Sequence, residues 1–264
     1  MRQTIRDHMT PNPVVVGPAT SVSECARILH KHRIRHLPVV TDTGSLFGLL
    51  TDFDVFLRGE MADDETFVTF DGTATWMQAH HLCRRVERPV GPNDDLLSGL
   101  ERLLGTRQDI LVVVDQDRVV GVLCEHDVVG LAANMEGPLS FRQRNVGHVL
   151  RTVDQHDPAR RARYVMANER IRHIVVLEEK RLHSVLSFRD VALEGTLSER
   201  RGAGSVGPGR AEFALVGVGV AEAARRMVAK KFGCLPLVDS LGIPVDIVTR
   251  TDVIRAVVDA LAKT

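Results

Sequence analysis

Apolar positions along the chain change period several times, and the changes come in the same order each time. Val14-Val15-Val16 reads as a short β-branched strand, and Val22, Cys25, Ala26 and Leu29 follow at i, i+3, i+4 and i+7, the stripe of an amphipathic helix. His36-Leu37-Pro38-Val39-Val40 and Leu46-Phe47-Gly48-Leu49-Leu50 then predict two strands across the turn-forming Thr41-Asp42-Thr43-Gly44-Ser45. Thr51-Asp52-Phe53-Asp54 leads into a second helix. The order returns near the other end. Phe213-Ala214-Leu215-Val216 is the first strand, Val220, Ala223, Ala224, Met227 and Val228 form the helical stripe, and Cys234-Leu235-Pro236-Leu237-Val238-Asp239 pairs with Val245-Asp246-Ile247-Val248 ahead of Thr249-Arg250-Thr251-Asp252.

Two looser copies lie between. One has a Leu96, Leu97, Leu100, Leu103, Leu104 helix, then Ile110-Leu111-Val112-Val113-Val114, Val119-Val120-Gly121-Val122-Leu123 and Cys124-Glu125-His126-Asp127. The other has Tyr164-Val165-Met166, Ile174-Val175-Val176-Leu177, His183-Ser184-Val185-Leu186 and Ser187-Phe188-Arg189-Asp190. The closing aspartates stand 73, 63 and 62 residues apart. The longer first interval falls in the acidic stretch Glu60-Met61-Ala62-Asp63-Asp64-Glu65, which reads as an exposed linker. Units of about 60 residues bury too little surface to be stable alone, so they are expected to pair and complete one another's cores. The expected division into two modules lies near Gly137-Pro138.

Composition narrows the class. With 264 residues, 44% apolar and 26% charged, the chain is neither collagen-like nor disordered, and length alone suggests about two domains. Apolar runs are strand-sized, far short of a membrane span, and the opening MRQTIRDHMTP lacks the apolar core of a secretory signal. Cys25, Cys83, Cys124 and Cys234 form no CxxC pair and lie in or beside apolar segments, as small buried hydrophobes do in a reducing compartment. A cytoplasmic location is expected. Zero net charge conceals an asymmetry: residues 1–135 carry 13 basic and 19 acidic groups, residues 136–264 carry 21 and 15. Either the halves attract one another, or anionic ligands favour the second. Eleven aromatic residues in all argue against a nucleic-acid surface, which interleaves them with clustered base.

Met9-Thr10-Pro11, Arg35-His36-Leu37-Pro38-Val39-Val40 and Gly48-Leu49-Leu50-Thr51-Asp52-Phe53-Asp54 together resemble a CBS (cystathionine β-synthase-type) domain, and Gly233-Cys234-Leu235-Pro236-Leu237-Val238-Asp239 with Thr249-Arg250-Thr251-Asp252 resembles it equally. The resemblance extends over four tandem repeats, at 1–58, 73–135, 140–198 and 203–264. It implies an α/β fold of four β-α-β-β-α units whose small sheets pair into two Bateman modules, with clefts between the paired repeats. It also implies a sensor of adenosine-containing ligands, AMP, ADP or ATP, sometimes S-adenosylmethionine or a dinucleotide. Such modules are mostly regulatory parts of larger proteins, and the length here is expected to leave no room for an attached catalytic domain.

The residues themselves suit such a ligand. In Thr51/Asp54, Ser187/Asp190 and Thr249/Asp252, a hydroxyl at the N-cap and a carboxylate three residues on could hold a phosphate and a ribose diol. The same spacing is a capping box with Asp in place of Glu, and both roles can coexist. Pro38 and Pro236 lack a backbone donor and are expected to keep their strands from being interior, leaving room for a purine near Val15 and Cys234. Arg35-His36 and Arg172-His173, in the place where the family's residues face phosphates, could make charge-assisted hydrogen bonds, and so could Arg189 and Arg250. The second copy departs, with Cys124 at the cap and Gln108-Asp109 where base would help, so Asp127 ranks last of the four. The third has Val175 in place of proline.

Other motifs carry less. Gly202-Ala203-Gly204-Ser205-Val206-Gly207 spells GxGxxG without the strand before it and reads as a flexible connector. His80-His81 with Cys83, and Cys124 with His126, lack a second pair at zinc spacing. No nucleophile elbow appears, and no metal or cofactor is required. The expected protein is a non-enzymatic sensor acting on a homodimer partner or an unidentified regulated protein. The alternative is an interaction or dimerisation scaffold with vestigial clefts.

Overall fold

The computed structural model describes residues 3–62, 66–69, 72, 76–105, 109–135, 139–142, 150–193, 201–207, 209 and 211–263. A two-residue strand β1 (Thr10–Pro11) comes first. The first repeat contributes α1 (Val22–Lys31), β2 (His36–Val40), β3 (Leu46–Thr51) and α2 (Asp52–Phe56). A hairpin of β4 (Gly59–Met61) and β5 (Phe67–Thr69) and the short α3 (Ala79–Leu82) lead to α4 (Leu96–Gly105), β6 (Ile110–Asp115), β7 (Arg118–Cys124) and α5 (Glu125–Asn134). The third repeat has β8 (Thr152–Asp154), α6 (Ala159–Glu169), β9 (His173–Glu178), β10 (Arg181–Ser187) and α7 (Phe188–Leu193). The fourth has β11 (Ala214–Leu215), α8 (Val220–Lys230), β12 (Cys234–Val238), β13 (Pro244–Thr249) and α9 (Arg250–Leu261).

Each repeat is built around an antiparallel pair closed by a bulge at the same register, as between Val39 and Val40 or Leu237 and Val238. The preceding chain runs parallel to the first strand of the pair, so that strand is the middle one, as β12 is in the order β11-β12-β13. Pro38 and Pro236 are therefore not on edges, contrary to the expectation from their missing donor. The physical reason lies in the outer strand, which stops short. Val16 donates to the Pro38 carbonyl (3.1 Å) and accepts from Val40 (2.9 Å), so the bridge uses the Pro38 carbonyl and the Val40 N–H and asks no donor of the proline nitrogen. Where Val175 replaces proline, its N–H donates to the Arg151 carbonyl (3.2 Å) and β8 is three residues long.

The apolar faces sort the repeats into two compact units, each made of non-contiguous stretches. One unit holds Val14–Glu87 with Arg151–Ala211, the first repeat with the third. Its core joins Leu29, Leu37 and Phe56 to Met166, Ile174 and Phe188, and the Phe53 and Phe188 rings meet at 4.2 Å between centroids. The other holds Met1–Pro13, Arg88–Leu150 and Glu212–Thr264, the second repeat with the fourth. There Leu100, Val128 and Val129 pack with Ala224, Val253 and Val257. The pairing that completes each core thus skips a repeat, where sequential pairing was expected. The proposed dividing point, Gly137-Pro138, lies outside the described residues.

Two connecting segments differ from their sequence reading. The stretch around Glu60 is not an exposed linker: β4 and β5 pair from Gly59↔Thr69 to Met61↔Phe67, and Glu60 and Met61 are buried. Arg163 donates to the carbonyl of Gly59 (3.0 Å) and lies 3.5 Å from the Glu60 carboxylate, so the acid is buried with a cation beside it. Residues 63–65 lie outside the described residues. The glycine-rich segment at 202–207 is packed too. Ala203 and Val206 are buried, and Ala203 and Gly204 donate to the carbonyls of Asp157 (2.8 Å) and Gln155 (2.9 Å). No helix among the described residues is long and apolar enough to cross a membrane.

Candidate functional site

The recurring geometry is the junction from the second strand of each pair to the helix after it. Its first helical residue donates a backbone hydrogen bond to the residue before the first strand of the pair. The four bonds are Asp52 to Arg35 (2.8 Å), Glu125 to Asp109 (3.3 Å), Phe188 to Arg172 (2.8 Å) and Arg250 to Gly233 (3.3 Å). This bond sets the residues at 35, 109, 172 and 233 beside the helix start, so basic residues read as neighbours from sequence are neighbours in space.

At each start the carboxylate caps its own helix. Thr51 Oγ1 and the Thr51 N–H donate to Asp54 Oδ2 (2.6 and 3.2 Å), while the Asp54 N–H donates to Thr51 Oγ1 (3.1 Å). Thr249 repeats this with Asp252 Oδ2, at 2.7 Å from the hydroxyl and 2.8 Å from the N–H. In the third repeat the Ser187 N–H donates to Asp190 Oδ2 (2.7 Å) and the Asp190 N–H to Ser187 Oγ (3.2 Å). Cys124 serves as well: its Sγ donates to Asp127 Oδ2 (2.9 Å) and its N–H to the same oxygen (2.8 Å). Burial first, then the neighbouring carboxylate, pushes the Cys124 thiol up to about 12, so it stays a neutral donor. The cap role is therefore present in all four copies, and it uses one carboxylate oxygen of each.

The second oxygen is treated differently from copy to copy. At Asp54, Oδ1 accepts from Arg84 Nη2. At Asp127, Oδ1 accepts from Thr10 Oγ1 (3.1 Å). Arg84 and Thr10 hold equivalent places. Arg84 bridges Leu49, which pairs with Pro38, and Thr10 pairs with Val122, which pairs with Val112; Val16 and Val90 donate in turn to the carbonyls of Pro38 (3.1 Å) and Val112 (3.1 Å). Both overlying segments approach a glycine closely. A Cβ on Gly48 would lie 2.8 Å from Cys83 Sγ, and one on Gly121 would lie 2.6 Å from Met9 Sδ. Near Asp190, a Cβ on Gly207 would lie 2.8 Å from Leu186 Cδ2 and 3.8 Å from the Asp190 carboxyl carbon.

The arginines converge elsewhere. Arg172 Nη1 donates to Asp52 Oδ1 (2.8 Å), Arg189 Nη2 lies 3.6 Å from Asp52 Oδ2, and Arg35 adds its charge. Asp52 is 1% exposed. Burial alone would raise its carboxyl, but Arg172, Arg35 and Arg189 together outweigh that and hold it below the ordinary range. Arg172 also stands over the Phe53 ring at 5.7 Å. Sequence inspection placed these arginines near ligand phosphate and missed the carboxylate they surround, because Asp52 and Arg172 are 120 residues apart. In the other unit Glu125 stands at the Asp52 position and accepts from Thr251 Oγ1 (2.9 Å).

The remaining sequence-predicted residues fall around these junctions. His36 and His173 open β2 and β9 opposite Thr51 and Ser187, and Cys234 opens β12 opposite Thr249. Pro38, Cys234 and Pro236 are buried, Val15 is exposed, and Arg250 Nη2 reaches the Phe232 carbonyl (3.4 Å). Thr10 and Arg84 were not singled out as site residues. Thr10 entered only as part of Met9-Thr10-Pro11, and Arg84 lies at a place the periodicity does not mark. Among the described residues no group of three or more His, Cys, Asp and Glu side chains is placed to hold a metal ion.

Comparison with known proteins agrees with this architecture. The family model described as "CBS domain" matches residues 5–58, 146–194 and 216–259. A crystal structure of a Methanocaldococcus jannaschii protein described as an archaeal homologue of γ-AMPK is 18% identical, with a TM-score of 0.78 over 96% of this chain and 99% of that one. An uncharacterized conserved protein from Pyrococcus horikoshii is 20% identical, with a TM-score of 0.66 over 97% and 100% of the two chains. Among curated proteins, an uncharacterized 33.4 kDa protein in a ribosomal RNA operon of Thermofilum pendens is 27% identical over 186 residues, 68% of this chain and 62% of that protein. Inosine-5'-monophosphate dehydrogenase of Nitrosopumilus maritimus is 34% identical over 110 residues, 42% of this chain and 21% of the enzyme. The matches therefore span under two thirds of these curated relatives. With the family model covering more than half of its length on the same β-α-β-β-α units that the structure displays, the chain belongs to the CBS domain family, as tandem repeats of the Bateman kind.

Proposed function

We propose that this protein is a non-enzymatic regulatory sensor that binds adenosine-type ligands at the helix starts carrying Asp54, Asp190 and Asp252. The observation that carries this is the recurrence, in phase with the strands, of a capping carboxylate that uses one oxygen for its own helix. The other oxygen, beside Arg84 at Asp54 and Arg255 (3.7 Å) at Asp252, is the one suited to a vicinal diol, and the hydroxyl next to it to phosphate. Thr51, Ser187, Thr249 and Arg250 would line these places, with Arg35, His36, Arg172 and His173 at the strand entries and Val15, Pro38, Cys234 and Pro236 as apolar surroundings. Asp127 ranks last, since Cys124 stands where the other helix starts have a hydroxyl and Asp109 adds negative charge. AMP, ADP and ATP are the leading ligands; neither a metal nor a cofactor takes part. Binding would shift the protein between shapes read by a second copy or a regulated protein in the cytoplasm, by no more than the ligand's preference for one shape.

Calorimetry on the full chain tests this with AMP, ADP, ATP and S-adenosylmethionine. Binding of at least one, lost in Asp252→Asn or Asp54→Asn and kept in Asp127→Asn, is the expected result. No heat and no change in melting temperature with any of the four would overturn the sensor and leave a scaffold, since a ligand at about 100 times its dissociation constant should add about 2.7 kcal/mol of stability.

A further inference from the structure

We propose that Arg84 is an ionic latch on the first repeat: its guanidinium occupies the carboxylate oxygen of Asp54 that a ligand's ribose diol would need, so that this repeat binds only when Arg84 is displaced. The proposal rests on the sensor role given to Asp54. Three observations support it. Asp54 is 8% exposed, and its two oxygens are divided between Thr51 and Arg84, which leaves neither open to a diol. The Arg84 side chain is 54% exposed, so its head group can swing into water without unpacking the core. The register equivalence of Arg84 and Thr10 makes the position a variable one: a cation over Asp54 and a hydroxyl over Asp127.

The chemistry of the two occupants ranks the repeats. A guanidinium on the buried Asp54 carboxylate forms an ion-paired hydrogen bond that a neutral diol replaces at a loss, whereas the Thr10 hydroxyl over Asp127 is neutral and competes less. The neighbouring backbone holds the latch in place. Arg84 and Leu49 exchange N–H to carbonyl bonds of 2.9 and 2.8 Å, and the side chain is the part free to move. Because one partner of the pair faces solvent, salt screens it, and a ligand that must break it gains affinity as salt rises.

Adenosine is the suitable probe because it is uncharged, so salt acts on its binding through the protein alone. Its affinity for the full chain is measured at low and high salt for wild type, Arg84→Gln, Arg84→Lys and Asp54→Asn. The expected result is adenosine binding that Arg84→Gln tightens by about tenfold, with the salt dependence of the wild type removed. Arg84→Lys keeps a charge but not the planar fork, and should fall between. Binding unchanged or weakened in Arg84→Gln, while Asp54→Asn abolishes it, overturns the latch and leaves the sensor role intact. Binding indifferent to Asp54→Asn removes the sensor role at this repeat, and the latch with it.

Discussion

Replacing Asp52 by Asn takes a nearly fully buried charge out of a cluster of three arginines while keeping its shape. Arg172 and Arg189, 18% and 21% exposed, would then face each other and Arg35 without the charge they surround, with Asp190 still acting on Arg189. Breaking a buried ion pair from one side costs about 3–5 kcal/mol, and the partial exposure of the arginines places Asp52→Asn near the lower end, about 3 kcal/mol. Arg172→Met should cost less, because Arg189 and Arg35 still balance the acid, and Asp52→Asn combined with Arg172→Met should cost less than the sum of the two. Urea unfolding followed by circular dichroism and by Trp76, the single tryptophan, which lies in the same unit, reads all three. Acid adds a second measurement. The folded Asp52 carboxyl sits below its ordinary value, so its stabilisation is complete above the unfolded value of about 3.9 and is lost as pH falls through the folded one. The wild type should therefore lose stability more steeply than Asp52→Asn as pH drops below about 4. A cost within about 0.5 kcal/mol, the range of ordinary surface changes, or parallel acid profiles, would refute the role given to this carboxylate.

The proline and cysteine positions yield three further tests. Val175→Pro removes the donor to Arg151 and should lower stability by about 1–3 kcal/mol in thermal or urea unfolding, whereas Pro236→Val, one residue before the first pair of β11 with β12 at Ala214↔Leu237, should not raise it. Cys124→Ala removes the side-chain cap on Asp127 and should cost about 1 kcal/mol, with Cys124→Ser close to wild type; equal melting temperatures for all three would contradict the cap. Cys25 and Cys124, each pushed up to about 12 chiefly by burial, should resist alkylation by iodoacetamide at pH 8 in the folded protein, as mass spectrometry of digested samples would show. Labelling of either at the rate of an unfolded control would refute that.

The strand and helix order was legible in the sequence because it depends on local periodicity. Each antiparallel pair joins neighbours a few residues apart, and the stripe of α1 or α8 appears within one turn of its cap. The capping aspartates were legible for the same reason, since hydroxyl and carboxylate stand three residues apart. The hairpin at 59–69 was not. Its short strands carry Glu60, which reads as exposed until Arg163 is brought to it from 103 residues away. The edge expectation for Pro38 and Pro236 failed because it weighed the missing donor without the length of the neighbouring strand.

By itself, then, the sequence determined the repeating unit, its family and the four helix starts, all products of interactions within some 40 residues of chain. The tertiary structure decided which repeats share a core, and it decided which groups occupy the outer carboxylate oxygens. It also turned Arg35, Arg172 and Arg189 towards Asp52. Those outcomes depend on charges and apolar faces meeting across 30 to 120 residues. No local pattern encodes such partners, because the free energy that selects them comes from burial and charge pairing that exist only once the chain has closed on itself.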